Sequence, residues 1–103
     1  MNEKKKAALA YIDKTAAVYK KIADQIWENP ELSLKEFKSA ALYCEELEKL
    51  GFAVTKGLCG IETAFCGSYG HGAPVIGILG EFDALSSLSQ AAGKTEPDAL
   101  VSR

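Results

Sequence analysis

Val75-Ile76-Gly77-Ile78-Leu79-Gly80-Glu81-Phe82-Asp83-Ala84-Leu85 is the stretch on which the fold turns. Its first five residues carry no polar side chain on either face, the pattern of a strand covered on both sides rather than one alternating between core and water. Such strands belong to sheets layered with helices, so the run predicts a central strand in an α/β arrangement. Two carboxylates follow, Glu81 and Asp83, two residues apart. In extended backbone that spacing puts both on the same side, and open α/β sheets place their ligand sites at the carboxyl ends of strands. The pair therefore reads either as the edge of a site or as the polar start of a solvated loop, where acidic side chains cap turns.

Just upstream, a glycine-rich loop runs Gly67-Ser68-Tyr69-Gly70-His71-Gly72-Ala73-Pro74. Its Gly-x-x-Gly-x-Gly spacing lacks the lysine of a P-loop and precedes a strand, whereas phosphate cradles open a helix, so no phosphate site is read here. His71, between glycines in a polar loop, reads as a turn residue and not as a metal ligand. Further back, Phe52-Ala53-Val54-Thr55 and Ile61-Glu62-Thr63-Ala64-Phe65-Cys66 are short, partly β-branched runs on either side of Gly57-Leu58-Cys59-Gly60. They predict a β-hairpin.

Ahead of Gly51 the period is helical. Leu9, Ile12, Ala16, Tyr19, Ala23 and Ile26 recur at steps of three and four, which predicts one long amphipathic helix. Asn29 before Pro30 ends it, because the proline ring disfavours helical geometry in the residue it follows. Trp27, near that end, is expected in the core. Ser33 and Glu36 have the spacing of a capping box opening a second helix. The apolar stripe of that helix, Phe37, Ala40, Ala41, Cys44, Leu47 and Leu50, runs to Gly51, a residue suited to the left-handed geometry of a helix end. The two helices share a short link and are expected to pack together.

With 103 residues, 48% hydrophobic and 25% charged, the chain is of a size and composition ordinary for one soluble domain. A domain of this length buries roughly 60 to 70% of its unfolded surface, so one core is feasible with little stability to spare. The net charge of −2 gives no basic face for nucleic acid. Lys4-Lys5-Lys6 precedes only a short apolar run, Ala7 to Ile12, which Asp13 and Lys14 interrupt before a signal-peptide core forms. No stretch reaches transmembrane length, and a cytoplasmic location and no membrane partner are expected. Cys44, Cys59 and Cys66 are odd in number and far apart. With a single histidine, they suggest neither a disulfide framework nor a structural zinc site, but small apolar residues in or near the core.

Ile26-Trp27-Glu28-Asn29-Pro30-Glu31-Leu32-Ser33, then Glu36, then Leu47-Glu48-Lys49-Leu50-Gly51-Phe52, resembles the opening of the di-zinc aminoacylase and carboxypeptidase family. Gly80-Glu81-Phe82-Asp83-Ala84-Leu85, with Leu88-Ser89-Gln90 after it, is most similar to the aminobenzoyl-glutamate branch of that family. The resemblance runs from about Leu9 to the end of the chain. It implies a hydrolase that cuts an amide bond with a metal-activated water. The substrate implied is an N-acyl or aroyl amino acid such as p-aminobenzoyl-glutamate, and the complete enzyme would hold zinc or manganese. Many members carry His-x-Asp at this strand end, where the Asp orients a metal-binding His or polarises the site from behind the metal's ligands. Asp83 matches that Asp. Glu81 stands in place of the His, which makes it a site-lining residue of unassigned role. The family's metal-binding His and Cys cluster, paired glutamates and later histidines are absent from these residues, so the chain alone is expected to hold no metal or cofactor and to be inactive.

The expected architecture is α/β: two N-terminal helices on a small mixed β-sheet, a partial segment of a zinc-peptidase-like α/β/α catalytic domain. Residues 1–51 are read as the helices, 52–83 as hairpin plus buried strand, and 84–103 as loop or tail, with the family's lid or dimerisation domain absent. The complete enzyme would act on a small-molecule amide and is a candidate homo-oligomer. The alternative is a stand-alone, non-catalytic interaction module or a decayed remnant, which would dock a partner on the uncovered faces of the apolar strand.

Overall fold

The structure, a computed structural model, describes residues 2–100. Helix α1 (Glu3–Glu28) is the long helix that the apolar spacing predicts. It begins ahead of its stripe because Asn2 caps it, the side-chain oxygen accepting from the Lys5 N–H at 2.8 Å. At the other end the Asn29 backbone N–H turns back onto the Gln25 and Ile26 carbonyls, and the helix stops before Pro30.

Helix α2 (Phe37–Lys49) starts later than the capping-box pattern implies. Leu34 takes a left-handed φ of 66°, and the Lys35 N–H closes a turn on the Leu32 carbonyl at 2.9 Å. That turn separates Ser33 from the helix, so Ser33 caps nothing and Glu36 becomes the N-cap residue. The far end follows the reading. Gly51, at φ 89°, lets its N–H reach the Glu48 carbonyl and the Phe52 N–H reach that of Leu47, each at 3.0 Å. These paired bonds form a Schellman closure, which favours glycine at that position.

Strands β1 (Ala53–Lys56) and β2 (Phe65–Ser68) pair antiparallel, Ala53 opposite Ser68 and Lys56 opposite Phe65. The hairpin is as expected, but its second strand begins at Phe65 instead of Ile61. The connection is longer because Gly57, Cys59 and Gly60 all take positive φ around a 3-10 turn at Leu58–Gly60. The Ala64 carbonyl then accepts from the N–H groups of Gly57 and Leu58 and closes the loop.

Two helices thus stand against a two-stranded antiparallel sheet, a partial α/β arrangement. Among the described residues, parallel pairing is confined to one bridge, Leu32 with Ala84. Helix α2 packs directly on the sheet. Ala40 and Cys44 form the apolar core with Ser39 and Thr63 buried beside them, and Leu47 and Phe52 crowd Gly67 of β2. Helix α1 faces α2 across an open cavity of about 670 Å³ lined by Tyr11, Tyr19, Ile22, Tyr43, Leu47 and Phe52. No residue of α1 is fully buried, and Trp27, expected in the core, is half exposed.

The run Val75–Leu79 is where expectation and structure part. Read as a buried central strand, it lies outside any strand of the described residues, with Ile78 95% and Leu79 90% exposed. A strand apolar on both faces needs a strand on each edge and a layer on each side. The hairpin strands pair with each other, and Val75, Ile76, Ile78 and Leu79 are all left exposed. The radius of gyration is 16.8 Å, against about 13 Å for a compact domain of this length. Positions 84–100 hold turns and one bridge but no helix or strand. Residues 101–103 of that expected tail lie outside the described residues.

Candidate functional site

The segment Gly80–Leu85 is held although the strand before it is not. Along it exposure alternates: Glu81, Asp83 and Leu85 are exposed, while Phe82 and Ala84 are half-buried. Such alternation is that of extended backbone with one face turned to the protein. Phe82 enters an aromatic cluster, its ring 5.1 Å from that of Tyr43 on α2 and 5.8 Å from that of Phe65 on β2. The tilted rings suit the quadrupoles of aromatic pairs. Ala84 donates its N–H to the Glu31 carbonyl at 2.8 Å, which makes the parallel bridge between Leu32 and Ala84.

That bridge joins the two stretches singled out in the sequence, Asn29–Ser33 and Gly80–Leu85, at one point next to α2. Glu31 is its centre. Its carboxylate accepts from the Lys38 N–H at 3.0 Å and the Ser39 N–H at 2.8 Å, two donors of the first turn of α2 left free by the helix geometry. Burial pushes the Glu31 carboxyl up, but these two N–H groups, with the Ser39 hydroxyl and the Lys38 charge, bring it below the ordinary glutamate range. Glu36 is buried beside it and also held below that range. Its own backbone N–H does most of this, outweighing burial, and the Thr63 hydroxyl and the Leu34 backbone N–H add to it. Glu36 therefore ties the hairpin connection, through buried Thr63, to the start of α2.

Glu31 is the site residue that sequence reasoning missed. The spacing pattern assigns the cap to Ser33, four residues before the observed helix start, while the true cap reaches forward seven and eight residues across a turn. The usable signal was an acidic residue shortly before a helix whose Ser33–Glu36 box contains a residue in left-handed geometry, and that geometry is invisible in the letters.

Asp83 and Glu81 occupy the outward positions of the anchored segment, where the two-residue spacing puts them. The other titratable candidates do not join them. His71 is exposed in its loop, Cys59 and Cys66 are exposed rather than core residues, and only Cys44 is buried, where burial raises its thiol pKa. Among the described residues no group of three or more His, Cys, Asp or Glu side chains comes together. These residues by themselves do not fit a metal ion, which takes three or four protein ligands in a zinc site. What the arrangement supplies is one carboxylate-bearing edge, set at a fixed place against α2 and open to whatever lies beyond it. No helix of the described residues is long and apolar enough to cross a membrane.

The sequence that carries this edge is similar to parts of two longer proteins. It is 49% identical over 83 residues, 81% of its length, to one of the polypeptides that make up the p-aminobenzoyl-glutamate hydrolase of Escherichia coli K12. It is also 39% identical over 66 residues, 62% of its length, to Thermostable carboxypeptidase 2 of Saccharolobus solfataricus. The chain spans 17% of the length of the first relative and 16% of the second. No protein-family model matches it. No solved structure matches it either.

Proposed function

We propose that this chain forms one wall of a metal-dependent amidohydrolase, the amino-terminal part of a catalytic domain that cleaves the amide bond of an N-acyl or aroyl amino acid such as p-aminobenzoyl-glutamate. The observation that carries the reading is the Glu31–Ala84 bond, since it brings together the two stretches that carry the family resemblance. The 49% identity to a subunit of a p-aminobenzoyl-glutamate hydrolase supports it. In the complete enzyme zinc or manganese would supply the activated water, on ligands other than the residues described above. Asp83 would orient one of those ligands from beside the metal, and Glu81 would line the substrate side. The chain alone would bind no metal, would not hydrolyse the substrate, and would share the cytoplasm with it.

The 83 matched residues can be exchanged into the E. coli protein and hydrolysis of p-aminobenzoyl-glutamate measured. The exchanged protein is expected to keep turnover within about tenfold of the parent, since matched segments of one site should carry the same support. A folded but inactive exchange would overturn the reading. The exposed run Val75–Leu79 favours a second reading, a non-catalytic interaction module. That reading requires the 103-residue chain to unfold cooperatively by itself and the exchanged enzyme to be dead.

A further inference from the structure

We propose that Glu31 is the positioning residue of the candidate site. Its side chain fixes the start of α2 and its own carbonyl fixes the Glu81/Asp83 edge, so one residue sets the distance between them. The proposal rests on the functional reading above only for its effect on turnover.

The N-cap residue Glu36 makes no side-chain bond to the helix, so the Lys38 and Ser39 N–H groups depend on the Glu31 carboxylate. Those are the second and third positions of the helix, where an N-cap side chain would normally reach. The carbonyl of the same residue accepts from Ala84, next in the chain to Asp83. A peptide carbonyl turns only with its own backbone plane, so a shift of the Glu31 backbone moves the Ala84 bond with it.

The backbone around Glu31 is restricted on both sides. Pro30 has a ring-fixed φ just before it, and the Leu32–Lys35 turn with left-handed Leu34 follows just after. Two bonds from the side chain and one from the main chain hold a residue that has few conformations open to it. Phe82, seated against Tyr43 of α2, is the second contact between the same segment and the same helix. An edge anchored at Phe82 and Ala84 leaves Asp83, between them, little freedom of direction. Length matters as well as charge. An aspartate at position 31 would be one methylene short of both N–H groups. A glutamine would keep the reach but would turn an N–H₂ group towards one of the two donors.

Amide hydrogen exchange on the 103-residue chain tests the bridge without reference to activity. In Glu31→Ala the Ala84 N–H is expected to exchange about tenfold faster, while the β1–β2 ladder keeps its rates. Glu31→Gln should fall between. Unchanged Ala84 exchange overturns the proposal, and so does equal acceleration at Ala84 and the ladder, the signature of a helix cap that merely stabilises the whole. In the E. coli relative carrying the matched residues, Glu31→Gln should lower kcat about tenfold with KM within about twofold, the pattern of lost transition-state alignment. A change in KM alone, or none in either constant, also overturns it. If the exchanged parent is itself inactive, the functional reading fails, and exchange at Ala84 still decides the role of Glu31.

Discussion

The unit of α2 with its hairpin and the run Val75–Leu79 are both rich in apolar residues, yet Cys44 is 3% exposed and Ile78 95%. The difference lies in where the partners are. Strand β1 meets β2 across a connection of eight residues, and α2 reaches the sheet through the Gly51 closure, so that unit is built from elements consecutive in the chain. A strand apolar on both faces has no local solution, because its edges and faces need several other elements at once. Gly80–Leu85 lies between the two cases. It has one bridge, one aromatic cluster and one exposed row, which holds the carboxylates.

Changes of decreasing effect probe this contrast. Cys44→Asp places an unpaired charge in the core of the packed unit, and thermal unfolding followed by circular dichroism should show a loss of at least about 3 kcal/mol. A melting curve like that of the parent would mean that the unit is not packed as described. Asp83→Asn in the exchanged E. coli enzyme keeps shape but removes charge. Turnover should fall about 10- to 100-fold while melting is unchanged. Near-normal turnover would remove Asp83 from the mechanism.

Glu31→Gln at neutral pH should cost about 1 kcal/mol through the weakened cap, measured by denaturant unfolding. The pH dependence gives its sign. Glu31 and Glu36 both have carboxyls held below the ordinary value of 4.5 in the folded chain. Their contribution is therefore fully present above that value and is lost as pH falls through their lower folded values. The parent should lose stability on acidification, and Glu31→Gln should lose less. A steeper acid loss in the variant would contradict the assignment.

Smaller effects separate the regions further. Gly67→Ala would bring a methyl to 3.0 Å from Leu47 Cδ1, and since that side chain can yield, the loss of stability should be about 1 kcal/mol. Ile78→Lys, at an exposed position of the apolar run, should change melting of this chain by less than about 0.5 kcal/mol. A large loss there would show that the run is covered in solution.

Much of the packed unit was legible beforehand because its signals are local. Asn29-Pro30 ends α1, Gly51 closes α2, and the glycines from Gly57 to Gly60 turn the hairpin. The failures share a physical cause. The Ser33–Glu36 pattern matched a capping box, but the left-handed Leu34 broke the helix register, and the cap passed to a carboxylate seven residues away. Val75–Leu79 expressed its need for cover clearly, while the elements that would meet it lie beyond any local pattern. For the candidate site, the spacing of Glu81 and Asp83 foretold their shared exposed row, but neither composition nor period could reveal that Glu31 anchors it.

Gly80–Leu85 is anchored to the Asn29–Ser33 turn while the strand-like run before it stays open. Site-resolved amide hydrogen exchange on the chain tests this most directly. The Ala84 N–H, bonded to Glu31, is expected to be protected beside Ile76 and Ile78 amides that exchange as in open chain. Protected Ile76 and Ile78 amides with an unprotected Ala84 would contradict it.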